Sequence, residues 1–182
     1  MKVTPTELPE VLMLEPQVFG DDRGFFMESW NARTFTQATG LDVTFVQDNH
    51  SRSARHVLRG IHYQVVKPQG KLVRVVTGAV LDVAVDLRRA SPSFGRWVGV
   101  ELSAENKRQL WIPPGFGHAF LVRTDHADFL YKTTEYWMAE FDRSLAWDDP
   151  TLAIDWGLGG AQPVLAHKDR AAPVLAEAEV YD

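Results

Sequence analysis

The stretch KLVRVVTGAVLDVAVDL, residues 71–87, holds two runs of alternating apolar residues, Leu72–Val76 and Val80–Leu87, on either side of the turn signal Thr77-Gly78. Alternation with period two places successive side chains on opposite faces of an extended chain, so both runs read as strands. The same pattern recurs at Val43–Gln47, Val57–Val66, Trp97–Leu102, Arg108–Ile112, Ala119–Val122 and Asp128–Tyr136. Turn signals separate them at Pro68-Gln69-Gly70, Ser91-Pro92-Ser93 with Gly95, Pro113-Pro114-Gly115 and Asp148-Asp149-Pro150. Many short strands at this spacing predict a mainly all-β chain, an antiparallel barrel or jelly roll. Two short helices are expected beside it. One runs over Trp30–Thr39 and stops at Gly40; the other lies in the tail after Lys168, over Ala171-Ala172 and Val174–Glu179, interrupted by Pro173.

A chain of 182 residues fits one domain spanning 1–182 and is long enough to bury a proper core. Its 45% apolar and 24% charged residues are those of an ordinary globular protein. No run reaches the length of a membrane span, and the amino terminus lacks the apolar stretch of a signal peptide, so a cytoplasmic location is expected. The absence of cysteine removes disulfides, thiolate nucleophiles and sulfur-based zinc sites. A net charge of −5 argues against broad nucleic-acid binding, which depends on neutralising many phosphates. An anionic ligand would have to be held by a few placed Arg and Lys side chains.

Two of the six histidines stand in distinctive settings: His62 in Arg59-Gly60-Ile61-His62-Tyr63-Gln64, and His118 in Pro113-Pro114-Gly115-Phe116-Gly117-His118. His50, His56, His126 and His167 are read as structural. The two segments resemble the paired motifs of the cupin superfamily, a double-sheet jelly roll. The second motif is matched by Pro113, Gly115 and His118. The first departs from the metal-binding version, with Gln64 where a second His would stand and Lys71 in the stretch that would supply a Glu. Two imidazoles make a poor metal site, so no metal is expected. An imidazole facing a cavity is then a candidate general base, because it titrates near neutral pH.

The wider succession is Arg23-Gly24-Phe25-Phe26-x-Glu28, Gln47-Asp48-Asn49-His50-Ser51, Leu58–His62 and Gln69–Val75, followed by Val83–Arg88, Leu110–Phe120, Tyr131-Lys132-x-Thr134, Trp147–Pro150 and Lys168-Asp169. It closely resembles the dTDP-4-dehydrorhamnose 3,5-epimerase family over about Arg23–Asp169. The resemblance implies a jelly roll that dimerises, uses neither metal nor nicotinamide cofactor, and acts on a dTDP-sugar. His62 matches the proton-abstracting base, Asp169 the carboxylate on its far ring nitrogen, and Tyr131 the acid that returns a proton from the opposite face. Lys71 matches a cation at the ketone oxygen, where charge develops in the transition state. Arg23, Phe26, Glu28, Gln47, Asn49, Arg59, His118, Tyr136, Asp142 and Lys168 match substrate-binding positions, and Phe19 and Phe26 could stack a nucleobase. Asp142 stands where the family commonly has Glu, and Trp137 replaces the second ring of a Tyr-Tyr pair beginning at Tyr136.

Period two also puts Asp82 and Asp86 on one face of their strand, opposite Leu81, Val83 and Val85. An inward unpaired carboxylate is costly, so Asp82 is expected to pair with His118. The rival readings are an epimerase acting on a single carbon, a metal-dependent cupin and a silent sugar-binding cupin.

Overall fold

A computed structural model describes residues 1–182. In chain order its strands are β1 (Lys2–Pro5), β2 (Leu12–Glu15), β3 (Val18–Asp21), β4 (Gly24–Met27), β5 (Gln47–Ala54), β6 (Leu58–Gln64) and β7 (Lys71–Thr77). There follow β8 (Ala79–Asp86), β9 (Trp97–Ser103), β10 (Gln109–Ile112), β11 (Phe116–Val122), β12 (His126–Thr133) and β13 (Asp142–Ser144). Two sheets face each other: a six-stranded one ordered β1-β2-β10-β7-β12-β5 and a five-stranded one ordered β13-β6-β11-β8-β9. Every pairing within them is antiparallel, which gives the expected jelly-roll architecture. β3 and β4 form a separate hairpin.

Alternation decides what goes between the sheets. Val73, Val75 and Phe129 from the first sheet meet Val80, Ala84, Phe120 and Val122 from the second in one buried core, which Leu8 and Val11 close at an end. The other face of β8 is equally apolar because it too is covered: Val83 and Val85 pack with Leu145, Leu152, Trp156, Leu175 and Ala178 of the C-terminal segment. Burying a Val or Leu side chain contributes about 1.5–3 kcal/mol, so a strand apolar on both faces needs a layer on each. The outer face of the first sheet is partly covered by α1 (Ala32–Thr39), whose Phe35 packs on Leu14, Leu72 and Trp111. Asn31 caps the helix, its side chain accepting from the Thr34 N–H, and Gly40 ends it at φ 74°.

Two expectations are corrected. Residues 43–46 are not a strand, and regular pairing begins only at Gln47. The tail helix falls on His167–Arg170 (α2) instead of Ala171–Glu179. Beyond Pro173 the chain turns so that Leu175 and Ala178 are buried against the second sheet, and Tyr181 donates to the Gln64 carbonyl, so packing overrides helix propensity there. No alternating run marks β1 to β4 in the sequence: they are short, and β3 and β4 are almost wholly exposed, so neither carries a buried apolar face.

Candidate active site

At one end of the jelly roll the two sheets part to leave a cavity of about 410 Å³. β6 and β11 supply His62 and His118, which are directly paired across the ladder. The facing sheet supplies Lys71 from β7, Tyr131 from β12 and Asn49 from β5. β5, QDNHSRSA, is polar but for its last residue: the less exposed Gln47, Asn49, Ser51 and Ser53 alternate with the exposed Asp48, His50 and Arg52, and Asn49, His50 and Ser51 line the cavity.

His62 Nε2 lies 2.6 Å from Asp169 Oδ1, and the Asp169 side chain is only 1% exposed. With the carboxylate ionised, Nε2–H donates, and Nδ1, which has no hydrogen bond within the chain, carries the free lone pair. Burial lowers the imidazole's pKa below its ordinary value of 6.5. Asp169 pulls it back up, while the charges of Lys168 and Lys71 push it further down. The balance is a neutral base at neutral pH, whose conjugate acid has a counterion ready.

Lys71 is 7% exposed, and burial brings its pKa down to about 8, with Asp142 and Asp82 opposing that shift. Its Nζ makes a long contact, 3.4 Å, to the His62 carbonyl oxygen. Burial raises the Tyr131 phenol against the opposing charge of Arg59, and Asp142 adds to the rise, so the phenol stays protonated and able to donate. His118 is buried, stacked on Phe129 and bonded through Nε2 to Asp82 Oδ1 at 2.8 Å, the pairing expected from the position of Asp82. Around the mouth, Arg59 is fixed by an Nε bond to Ser53 Oγ, which leaves its terminal nitrogens free. Lys168 pairs with Asp142 at 2.8 Å, and Asn49 Nδ2 is a buried donor without a partner. No group of three or more His, Cys, Asp or Glu side chains is arranged to hold a metal ion.

The description "dTDP-4-dehydrorhamnose 3,5-epimerase" belongs to the family model that matches residues 5–177. The chain belongs to that epimerase family. A Pseudomonas aeruginosa protein of the same name is 59% identical over 181 residues, covering 100% of this chain and 99% of its own length. One from Salmonella typhimurium is 55% identical over 179 residues, covering 98% and 97% respectively. The fold agrees as well. The crystal structure of a dTDP-6-deoxy-D-glucose-3,5-epimerase from Legionella pneumophila, in complex with dTDP-4-keto-L-rhamnose, superposes with a TM-score of 0.95 at 51% identity, over 98% of this chain and 94% of that one.

Of the residues that the epimerase motifs single out, His62, Lys71, Tyr131, His118, Asn49, Arg59, Asp142 and Lys168 line the one cavity, with Asp169 directly behind His62. Gln47 stands beside it, bonded to Asn49 and to the backbone N–H of Trp137. Four others lie elsewhere within the chain. Arg23 pairs with Asp21 at the tip of the β3–β4 hairpin, Phe26 is 67% exposed on that hairpin, and Glu28 accepts from Asn31 just beyond it. Tyr136 is 60% exposed outside the cavity, whereas its neighbour Trp137 lines it. Gln64, two residues after His62 on β6, is buried outside the cavity lining. Its one signal in the sequence was an amide at a position where a metal-binding cupin has a ligand.

Proposed function

We propose that this epimerase converts dTDP-4-dehydro-6-deoxy-D-glucose to dTDP-4-dehydro-L-rhamnose, inverting C3 and C5 through enolates, in dTDP-L-rhamnose biosynthesis. The observation that carries the mechanism is the opposition of His62, backed by Asp169, to Tyr131 and Lys71 on the facing sheet. Both C3 and C5 adjoin the C4 ketone, so their hydrogens are acidified. His62 removes the proton as a positioned base, Lys71 holds the oxygen on which charge grows, and Tyr131 protonates the other face. No residue changes oxidation state, and the reaction as written calls for no cofactor.

Arg59, Lys168 and Asn49 would bind the nucleotide diphosphate, Arg59 with the planar fork suited to phosphate oxygens. Arg23, Phe26 and Glu28 take part on our reading through a homodimer, in which the exposed β3–β4 hairpin of one subunit reaches the mouth of the other's cavity. The exposure of Phe19, Phe25 and Phe26, at 56%, 62% and 67%, supports this, since large apolar side chains clustered on one hairpin favour a covered surface. The substrate is a soluble nucleotide sugar and no helix is long and apolar enough to cross a membrane, which fits work in the cytoplasm.

The test is incubation with dTDP-4-dehydro-6-deoxy-D-glucose in deuterated water, followed by proton NMR of the product. Deuterium at both C3 and C5 in an L-configured sugar is expected. Label at one carbon only would reassign the chain to single-carbon inversion, and no label would refute the reading.

A further inference from the structure

We propose that Gln64 is a positioning residue that sets the shape of the substrate cavity by fixing where Trp137 stands in its wall; this rests on the epimerase reading above. Gln64 is 2% exposed on β6, two residues after His62. All of its amide's hydrogen bonds go to backbone groups of two loops. Nε2 donates to the Lys67 carbonyl at 2.9 Å and to the Tyr136 carbonyl at 3.3 Å, and Oε1 accepts from the Met138 N–H at 2.8 Å. The bonds to Tyr136 and Met138 therefore grip the chain on both sides of Trp137. A further glutamine, Gln47 of β5, accepts the Trp137 N–H itself at 3.1 Å.

What is missing around Trp137 makes this hold matter. Residues 136–138 have no helix or strand, and the Trp137 ring belongs to none of the hydrophobic clusters and to none of the aromatic pairs. The ring is 56% exposed and lines the cavity, so no core packing locates it. Its place therefore rests on the backbone that carries it, which Gln64 holds on both sides and Gln47 at the Trp137 N–H, with Gln69 donating to the Glu135 carbonyl just upstream. Because His62 and Gln64 share one strand, the aromatic wall is registered to the base. A sugar that must offer first one carbon and then another to a single imidazole depends on that register, since small misplacements of reacting groups cost rate steeply.

Gln64→Met keeps the volume and removes the three hydrogen bonds, Gln47→Leu removes the bond from the Trp137 N–H together with the one to Asn49 Oδ1, and Trp137→Ala removes the ring. Each is compared with wild type for kcat, KM and the ratio of deuterium uptake at C3 to that at C5, with thermal melting measured in parallel. The expected result is that all three move the C3-to-C5 ratio in the same direction and raise KM roughly tenfold, the effect of losing one good contact. A purely structural glutamine would lower the melting temperature of Gln64→Met and leave both ratio and KM at wild-type values, which overturns the proposal. Should Gln64→Met fail to fold, Gln64→Asn decides, since it keeps the amide but withdraws it by one methylene from the Tyr136 and Met138 backbone: a shifted ratio upholds the proposal and an unchanged one overturns it. Wild-type enzyme that takes up no deuterium at either carbon would sink the epimerase reading, and this inference with it.

Discussion

The His62 imidazole and the Lys71 ammonium share a cavity in which burial works against the charge of each. The proposed mechanism needs His62 neutral and Lys71 charged. Activity should therefore appear as pH rises through a His62 value lying below 6.5, and disappear as Lys71 deprotonates near 8. We expect a bell-shaped kcat/KM profile, and Lys71→Arg should carry the alkaline limb upward because guanidinium stays protonated. A profile flat from neutrality to about pH 9 in wild type would contradict the role of Lys71. His62→Ala should lose about 10² to 10⁴ in rate with dTDP binding kept. Tyr131→Phe should still exchange substrate hydrogens with deuterated solvent but produce no inverted sugar, which NMR separates directly. These residues were legible because their types and order match a family pattern. Gln64 was not, since its partners are backbone groups of two loops and no side-chain pattern marks them.

Between the paired strands β6 and β11 the space is set by one residue. Gly60 has φ 122°, and a Cβ added there would stand 2.5 Å from Ala119 Cβ and 2.6 Å from the His118 carbonyl oxygen. Gly60→Ala should destabilise by roughly 1–3 kcal/mol or more, through backbone strain and overpacking together, and lower activity by moving His62 and His118 apart. Urea denaturation with an activity assay on the folded fraction would check both. At the end of β8, burial alone would raise the Asp86 pKa, but hydrogen bonds from Arg88, Ser91 and Ser93 outweigh it and bring the value to about 2. A carboxylate depressed on folding contributes stability above its unfolded value of about 4, and that contribution drains away as pH falls toward 2. Asp86→Asn should flatten the acid side of a melting-temperature profile over this window. The strands of the central core were readable from alternation. β5 was missed because its inward face is hydrophilic, serving a cavity rather than a core, so hydrophobic periodicity had nothing to register.

Taken whole, the molecule leaves the β3–β4 hairpin with no strand pairing beyond its own, although Lys107 lies over the Phe25 ring and the hairpin shares a pocket with Arg74, Val75 and Val76 of β7. If it reaches a second subunit as proposed, Phe25→Ser with Phe26→Ser should shift the protein toward monomer in analytical ultracentrifugation and weaken dTDP binding, while leaving the jelly roll's circular dichroism intact. Dimers of normal affinity in that variant would place the contact elsewhere. The jelly roll was legible in the sequence because so many short alternating runs have few other ways to bury themselves. The covering role of the tail was not, because its anchoring residues Leu152, Trp156, Leu175 and Ala178 follow no period and find their places only against a sheet already formed.

The imidazole and its carboxylate are 107 residues apart in the chain. On a ribosome, β6 emerges long before Asp169, and every strand of both sheets is already made when α2 appears. A growing polypeptide can thus acquire its walls well ahead of its chemistry. On the proposed mechanism, enzymatic competence arrives as a late event in synthesis, when the segment that packs the outer face also delivers the carboxylate that pairs with His62.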